Sequence, residues 1–213
     1  MNSPPFQRFE DPASLTELQR TAILLTLTMV TMLYAMTVTI ANVALPQMQG
    51  SLSATQDQIA WVVTYNIVAT AAATPLAGWL AARLGRRRLM ALAVIIFAIA
   101  SLLCGLAGSV EELVIYRIIQ GASGAPLVPM SQAIVVDTYP KKDHSRVTAI
   151  WGVGVILGPI IAPTLGGYLT EAFNWRWVFF MILPFTLVSL IGVLAFIDNR
   201  REPEKISLDW TGF

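Results

Sequence analysis

Residues 21–45 read TAILLTLTMVTMLYAMTVTIANVAL, and none of them is charged. The uncharged stretch is longer still, because no Asp, Glu, Lys or Arg occurs between Arg20 and Asp57. An α-helix rises ~1.5 Å per residue, so about 20 apolar residues cross the ~30 Å hydrocarbon core of a bilayer. The stretch is too long for a signal peptide and no small-residue cleavage site follows it. It therefore predicts a helix that stays in the membrane.

The same pattern recurs five times, because the remaining charges are separated by gaps of comparable length. Lipid offers no partner to backbone amides, and a β-barrel would show short alternating segments, so we expect helices. The predicted spans are residues 21–45, 58–81, 89–109, 113–136, 147–170 and 177–197. They form an all-α transmembrane domain over 21–197, with a cytoplasmic tail at 1–20 and another at 198–213.

The composition agrees with a membrane protein. Of 213 residues, 55% are hydrophobic, 14 are Lys or Arg, 13 are Asp or Glu, and mean hydropathy is +0.64. This is about half the charge of a soluble domain, which argues against a soluble enzyme. A net charge of +1 gives no sign of a nucleic-acid partner. Cys104 is the single cysteine, so the chain can form no internal disulfide and no cysteine metal site.

Basic residues predict the orientation. Twelve Lys and Arg fall in the two tails and in the loops at 82–88 and 137–146, whereas Arg176 alone falls on the opposite side. The positive-inside rule then places both termini in the cytoplasm.

Arg117 is the one charged residue inside a predicted span, in the sequence LVIYRIIQGASGAP. An arginine at membrane depth is costly and usually faces a wet cavity, so we expect a functional role. Gln120 lies on the same helix face, and Gly121 offers a surface where another helix can approach. The alternative is that Arg117 only snorkels to the interface, about five residues away.

The fifth span reads GVGVILGPIIAPTLGG over residues 152–167. Small residues are spaced by four along one stripe: Gly154, Gly158, Ala162 and Gly166. Such a stripe predicts a close helix crossing, and Pro159 and Pro163 beside it predict a kink. A gating role built on this packing is the further hypothesis.

Two other segments contain candidate residues. The loop motif GWLAARLGRRRLM, residues 78–90, contains Gly78, Arg83, Gly85, Arg86 and Arg87. Gly85 permits a tight turn, and the arginines either only set the topology or act in switching.

Polar residues also lie in the outer half of the first span, namely Thr37, Thr39 and Asn42. The threonines can bond to their own backbone, whereas the Asn42 amide is expected to face a neighbour or water.

With these motifs together, residues 20–213 resemble the first six helices of a major facilitator superfamily transporter of the fourteen-helix drug:proton antiporter group. GWLAARLGRRR is similar to the family's loop motif, RIIQG to its arginine motif, and the glycine-rich fifth span to its antiporter motif. NWRWVFF and TIANVALP resemble the drug-exporter group. The resemblance implies two inverted three-helix repeats, the N-terminal half of the fold, with DWTGF leading to a missing seventh helix.

The chain departs from this family in three places. Thr37 stands where the family usually has aspartate, Ala82 replaces a common loop aspartate, and Ala162 replaces a glycine. No Asp, Glu or His lies in any predicted span. We therefore expect the proton-carrying carboxylate in the missing C-terminal half, with Arg117 as a fixed charge.

The resemblance implies proton-coupled efflux of drugs or amphiphiles by alternating access in a bacterial inner membrane. Asn42, Arg117 and Gln120 would line the cavity, and Gly158 with Pro159 would pack against the missing half. Expected partners are the lipid bilayer and the missing half, and a periplasmic adaptor and outer-membrane channel are possible ones. No cofactor, metal or nucleic acid is expected, and the proton gradient would supply energy. The alternatives are an uptake carrier and a non-transporting six-helix scaffold or channel subunit. A membrane enzyme is disfavoured because no catalytic set occurs at membrane depth.

Overall fold

The computed structural model describes residues 15–198, and the regular secondary structure in this range is helical throughout. The predicted tails at 1–20 and 198–213 lie mostly outside these residues. The helices are α1 Glu17–Ser51, α2 Gln56–Ala73, α3 Leu76–Leu84, α4 Arg86–Leu106, α5 Val110–Gly124, α6 Leu127–Thr138, α7 His144–Ala172, α8 Trp177–Phe180 and α9 Ile182–Phe196. The 3-10 turn Lys141–Asp143 precedes α7.

Each predicted span coincides with helical structure, but three of them consist of two helices. The second span divides into α2 and α3 at Pro75, where the two axes differ by 57°. The fourth divides into α5 and α6 at Pro126. Proline lacks an amide hydrogen, so each of these two residues cannot make the backbone hydrogen bond to the preceding turn, and both helices end there. The sixth span divides into α8 and α9 at Met181.

By length and composition, four segments of the described chain can cross a membrane: α1, α4, α7 with its preceding turn, and α8 with α9. The bent pair α2 and α3 makes a fifth. The fourth predicted span does not meet these criteria as one helix, because α5 and α6 have 15 and 12 residues. That residues 113–136 cross the membrane therefore stays a prediction from the sequence.

Capping boxes set where α1 and α2 begin. The Thr16 hydroxyl accepts a hydrogen bond from the Gln19 amide nitrogen, and the Gln19 side chain accepts one from the Thr16 amide. Thr55 and Gln58 form the same arrangement at the start of α2. Because a capping box satisfies amides that the first turn leaves unpaired, α1 begins four residues before the predicted span.

The helices pack in a pattern that repeats. The most extensive contacts join α1 to α7 and α2 to α5, followed by α4 with α5, α1 with α9 and α4 with α9. If spans one, two and three are exchanged with spans four, five and six, the contact between α1 and α7 becomes the contact between α5 and α2. The same exchange converts α4–α5 into α9–α1. This is the packing expected of two three-helix repeats. With three predicted membrane crossings in each repeat, the second repeat begins on the opposite side of the membrane and is inverted relative to the first.

Candidate functional site

Arg117 is fully buried at the point where α5 meets α2 and α4. Its Nε donates a hydrogen bond to the Val62 carbonyl oxygen on α2 at 3.1 Å, and its Nη1 donates to Gln120 Oε1 at 2.5 Å. The guanidinium carbon lies 6.0 Å from the ring centroid of Phe179 on α8. The side chain therefore does not snorkel. We expected Arg117 to line a wet cavity, but its side chain has no exposed surface in this structure.

Gln120 extends the hydrogen-bonded chain from Arg117 to α4. Its Nε2 donates to Ser101 Oγ at 2.7 Å, and the Ser101 hydroxyl donates to the Phe97 carbonyl oxygen at 2.7 Å. Gln120 and Ser101 have no exposed surface. Sequence reasoning placed Arg117 and Gln120 on one face but missed Ser101, whose signal was a hydroxyl in the interior of the largely apolar third span.

A second polar contact holds α2 against α5. Asn66 Nδ2 donates to the Arg117 carbonyl oxygen at 2.8 Å, and Thr70 Oγ1 donates to the Gly121 carbonyl oxygen at 3.0 Å. A Cβ on Gly121 would lie 2.3 Å from the Asn66 carbonyl oxygen, so any side chain there would force the two helices apart. Asn66 and Thr70 were not among the predicted residues, although they lie four residues apart within an apolar segment.

The three candidate residues on α1 do not join this network. Thr37 is buried and donates to the Leu33 carbonyl oxygen at 2.7 Å, whereas Thr39 is half-buried and donates to the Ala35 carbonyl oxygen at 3.3 Å. The Asn42 side chain is exposed, with its amide 3.5 Å from its own helix backbone. Within residues 15–198 no hydrogen bond connects any of the three to Arg117.

The small-residue stripe of α7 packs against α1. A Cβ on Gly158 would lie 2.6 Å from the Met32 carbonyl oxygen, and one on Gly154 or Gly166 would also overlap side chains of α1. Ala162, between them, is fully buried. The stripe thus joins the two repeats of this chain, and the expectation that Gly158 packs against a missing half is wrong.

The two prolines of α7 lie off the stripe. Pro159 is half-buried and Pro163 is exposed. The helix continues unbroken from His144 to Ala172 through both of them, and the kink expected at the prolines stays a prediction.

The residues of the loop motif take several roles. Gly85 has φ 84° and ψ 150°, a conformation that is essentially restricted to glycine, and it separates α3 from α4. Arg86 forms an ion pair with Asp137 at the end of α6. The Arg83 guanidinium lies 4.4 Å from the Trp79 ring centroid.

The two remaining candidates of the loop motif are Gly78 and Arg87. Gly78 has open space where a side chain would be, and Arg87 is half-buried.

A third group of contacts ties the opposite end of the bundle. Trp175 is almost fully buried and its Nε1 donates to Ser51 Oγ at the end of α1 at 2.6 Å. Arg176 Nη2 donates to the Ala107 carbonyl oxygen after α4 at 2.9 Å. The NWRWVFF segment therefore fastens α8 to two other helix ends.

Residues 27–211 match the family model described as Major Facilitator Superfamily. The chain belongs to the major facilitator superfamily. Its relatives include the "Multidrug export protein EmrB" of Haemophilus influenzae, 39% identical over 85% of this chain and 36% of that protein. EmrB of Escherichia coli is 37% identical over 87% of this chain and 36% of its own length. The "Fatty acid resistance protein FarB" of Neisseria gonorrhoeae is 40% identical over 71% of this chain and 30% of FarB.

Solved structures of the superfamily share the fold. A bacterial homologue of the human lysosomal transporter Spinster superposes with TM-score 0.77 at 24% identity, over 88% of this chain and 46% of that one. The xylose transporter XylE of Escherichia coli gives 0.76 at 17% identity, over 84% and 48%. The predicted fold class is confirmed by these likenesses. The chain spans about a third of the length of the curated superfamily relatives named above.

Proposed function

We propose that this chain is the N-terminal six-helix part of a transporter that exports amphiphilic small molecules by alternating access, driven by protons. The names of the relatives describe export of drugs and resistance to fatty acids, and this supports an amphiphilic substrate. The observation that carries the proposal is the buried Arg117, bonded to α2 and to the Gln120 amide that leads to α4.

The packing supports movement of these helices as one body. The glycine stripe holds α7 directly against the backbone of α1. Side-chain contacts close both ends, with Arg86 and Asp137 at one end and Trp175 and Ser51 at the other. Alternating access is largely rocking of such a unit against the second half of the transporter.

Proton coupling requires a group that gains and loses a proton, and arginine keeps its proton in proteins. The predicted spans contain no Asp, Glu or His. We therefore place the proton-carrying carboxylate in the rest of the transporter. The positive charge of Arg117, in a medium of low dielectric constant, favours the ionised form of a carboxylate that approaches it.

The orientation and the partners follow from the same proposal. The positive-inside rule, applied to the basic loops, supports a cytoplasmic location for both ends of this chain. In a cell with two membranes, a periplasmic adaptor and an outer-membrane channel would receive the exported substrate.

The test is export of a fluorescent amphiphile from energised cells that carry the full-length transporter containing this chain. Arg117→Ala should abolish export with normal membrane insertion, because it removes the buried charge. Arg146→Ala, at an exposed arginine outside both the network and the loop motif, is the matched control and should export as the parent does. Parental export by Arg117→Ala contradicts the role of Arg117. Absence of export by the parent favours a scaffold or channel subunit, and inward accumulation favours an uptake carrier.

Proton coupling needs its own measurement. Proton flux should persist in Thr37→Ala and should stop when one acid outside this chain is replaced. Loss of coupling in Thr37→Ala, with every distal acid dispensable, would refute our placement of the carboxylate.

A further inference from the structure

We infer that Ser101 on α4 is a positioning residue for Arg117, acting through the amide of Gln120. A short link at 107–109 joins α4 to α5, so the two helices run antiparallel. Ser101 lies opposite Gln120. One turn closer to the link, Cys104 on α4 lies opposite Arg117 on α5. All four residues are fully buried.

The direction of the hydrogen bonds explains why Ser101 matters. Its hydroxyl proton is donated to the Phe97 carbonyl oxygen, so Ser101 Oγ offers Gln120 only its lone pairs. Of the two ends of the Gln120 amide, only the NH₂ group can bond to those lone pairs. That orientation turns Oε1 towards Arg117, where it accepts from Nη1. The reversed amide would set NH₂ against the guanidinium, donor against donor.

Burial alone does not give a serine this role. Ser131 on α6 and Ser189 on α9 are also buried, yet their Oγ atoms have no hydrogen-bond partner among residues 15–198. Ser101, in contrast, takes part in two hydrogen bonds and connects α4 to α5. Ser131 therefore provides a matched control for loss of a buried hydroxyl.

Cys104 provides a reporter that needs no transport. It is the single cysteine in the sequence, fully buried, and one helical turn from Ser101. A buried thiol reacts only when the surrounding helices open locally, so its alkylation rate measures that opening. The inference rests on the proposed function only in supposing that Arg117 matters for transport. If export fails while alkylation behaves as expected, the proposed function is wrong and the positioning role stands.

The experiment measures alkylation of Cys104 by N-ethylmaleimide in the 213-residue chain in detergent micelles. Ser101→Ala should raise the rate about tenfold, because it leaves the Gln120 NH₂ group buried without a partner. Ser131→Ala should keep the parental rate. Gln120→Leu should also raise the rate, and adding Ser101→Ala to it should change nothing further, because the two residues act through one contact.

Three results would overturn the inference: a parental rate in Ser101→Ala, an equal rise in Ser131→Ala, or a further rise when Ser101→Ala is added to Gln120→Leu. If Ser101→Ala does not fold, Ser101→Thr decides the matter. Threonine keeps a hydroxyl that can bond to the same carbonyl one turn back. A parental rate in Ser101→Thr together with a raised rate in Gln120→Leu supports positioning, and equally raised rates in both contradict it.

Discussion

Replacement of Gly158 by alanine tests whether the α1–α7 crossing holds the two repeats together. A Cβ at this position would lie 2.6 Å from the Met32 carbonyl oxygen and 3.2 Å from its Cγ. The nearest obstacle is backbone, so a change of side-chain rotamer cannot relieve the contact and the helices must separate. Gly152 on the same helix has no heavy atom within 4 Å of the equivalent point, which makes Gly152→Ala the matched control.

The difference between the two variants isolates the packing. Alanine is favoured over glycine inside a helix by ~1 kcal/mol, and this gain applies to both positions. Forcing an extra carbon into a well-packed contact costs typically about 1–3 kcal/mol. Gly158→Ala should therefore be less stable than Gly152→Ala by about 1–3 kcal/mol. At roughly 2–4 °C per kcal/mol for a domain of this size, the midpoint should be lower by about 2–12 °C.

The assay is thermal unfolding of the chain in dodecyl maltoside, followed by far-ultraviolet circular dichroism. Unfolding in mixtures with sodium dodecyl sulfate supplies the free-energy difference independently. If Gly158→Ala melts at or above the temperature of Gly152→Ala, the close approach of α1 and α7 does not limit stability, and the assignment of the stripe to this contact is wrong.

Trp175→Phe should lower the free energy of unfolding by more than about 1 kcal/mol, because it removes the indole hydrogen bond to Ser51 and leaves a cavity beside the smaller ring. Trp177→Phe, at an exposed ring, is the control, and equal losses in the two would argue against the bond. Gly85→Ala should destabilise by about 1–3 kcal/mol, because its backbone conformation is restricted to glycine. Gly78→Ala, which has open space around it, should be no less stable than the parent, and chemical denaturation of both chains checks the comparison.

Helix positions could be predicted from charge alone, whereas helix ends and breaks could not. The spans follow from the absence of charge, a property of each segment by itself. The start of α1 depends on Thr16 and Gln19, polar residues that a search for apolar runs excludes. The sequence shows prolines at the two breaks, Pro75 and Pro126, but it also has prolines within α1 and α7, and those helices are unbroken. Which proline divides a helix depends on neighbouring helices that restore the lost bonds.

For the candidate site, the contact within one helix could be predicted, whereas the contacts between helices could not. Helical periodicity places Arg117 and Gln120 on one face, and the structure joins them directly. Their partners Ser101 and Val62 come from other helices, and the antiparallel register of α4 and α5 that aligns them is a tertiary property. The glycine stripe likewise indicated a close crossing without identifying the partner as α1.

The charge of Arg117 is held in part by neutral acceptors. Translocon-based scales put an arginine at the centre of a membrane helix at about 2.5–3.5 kcal/mol. Arg117 makes two hydrogen bonds from a charged group, to Val62 and to Gln120, and each such bond contributes about 1.5–3 kcal/mol. Their sum, about 3–6 kcal/mol, is of the same size as that cost, but Arg117 Nη2 is buried with no hydrogen-bond partner among residues 15–198, which offsets part of the gain. Within the described residues, neutral acceptors therefore offset only part of the imbalance between one buried cation and no acid in the predicted spans. In the proposed transporter, a carboxylate from outside this chain would meet Nη2 as a donor that residues 15–198 leave unpaired.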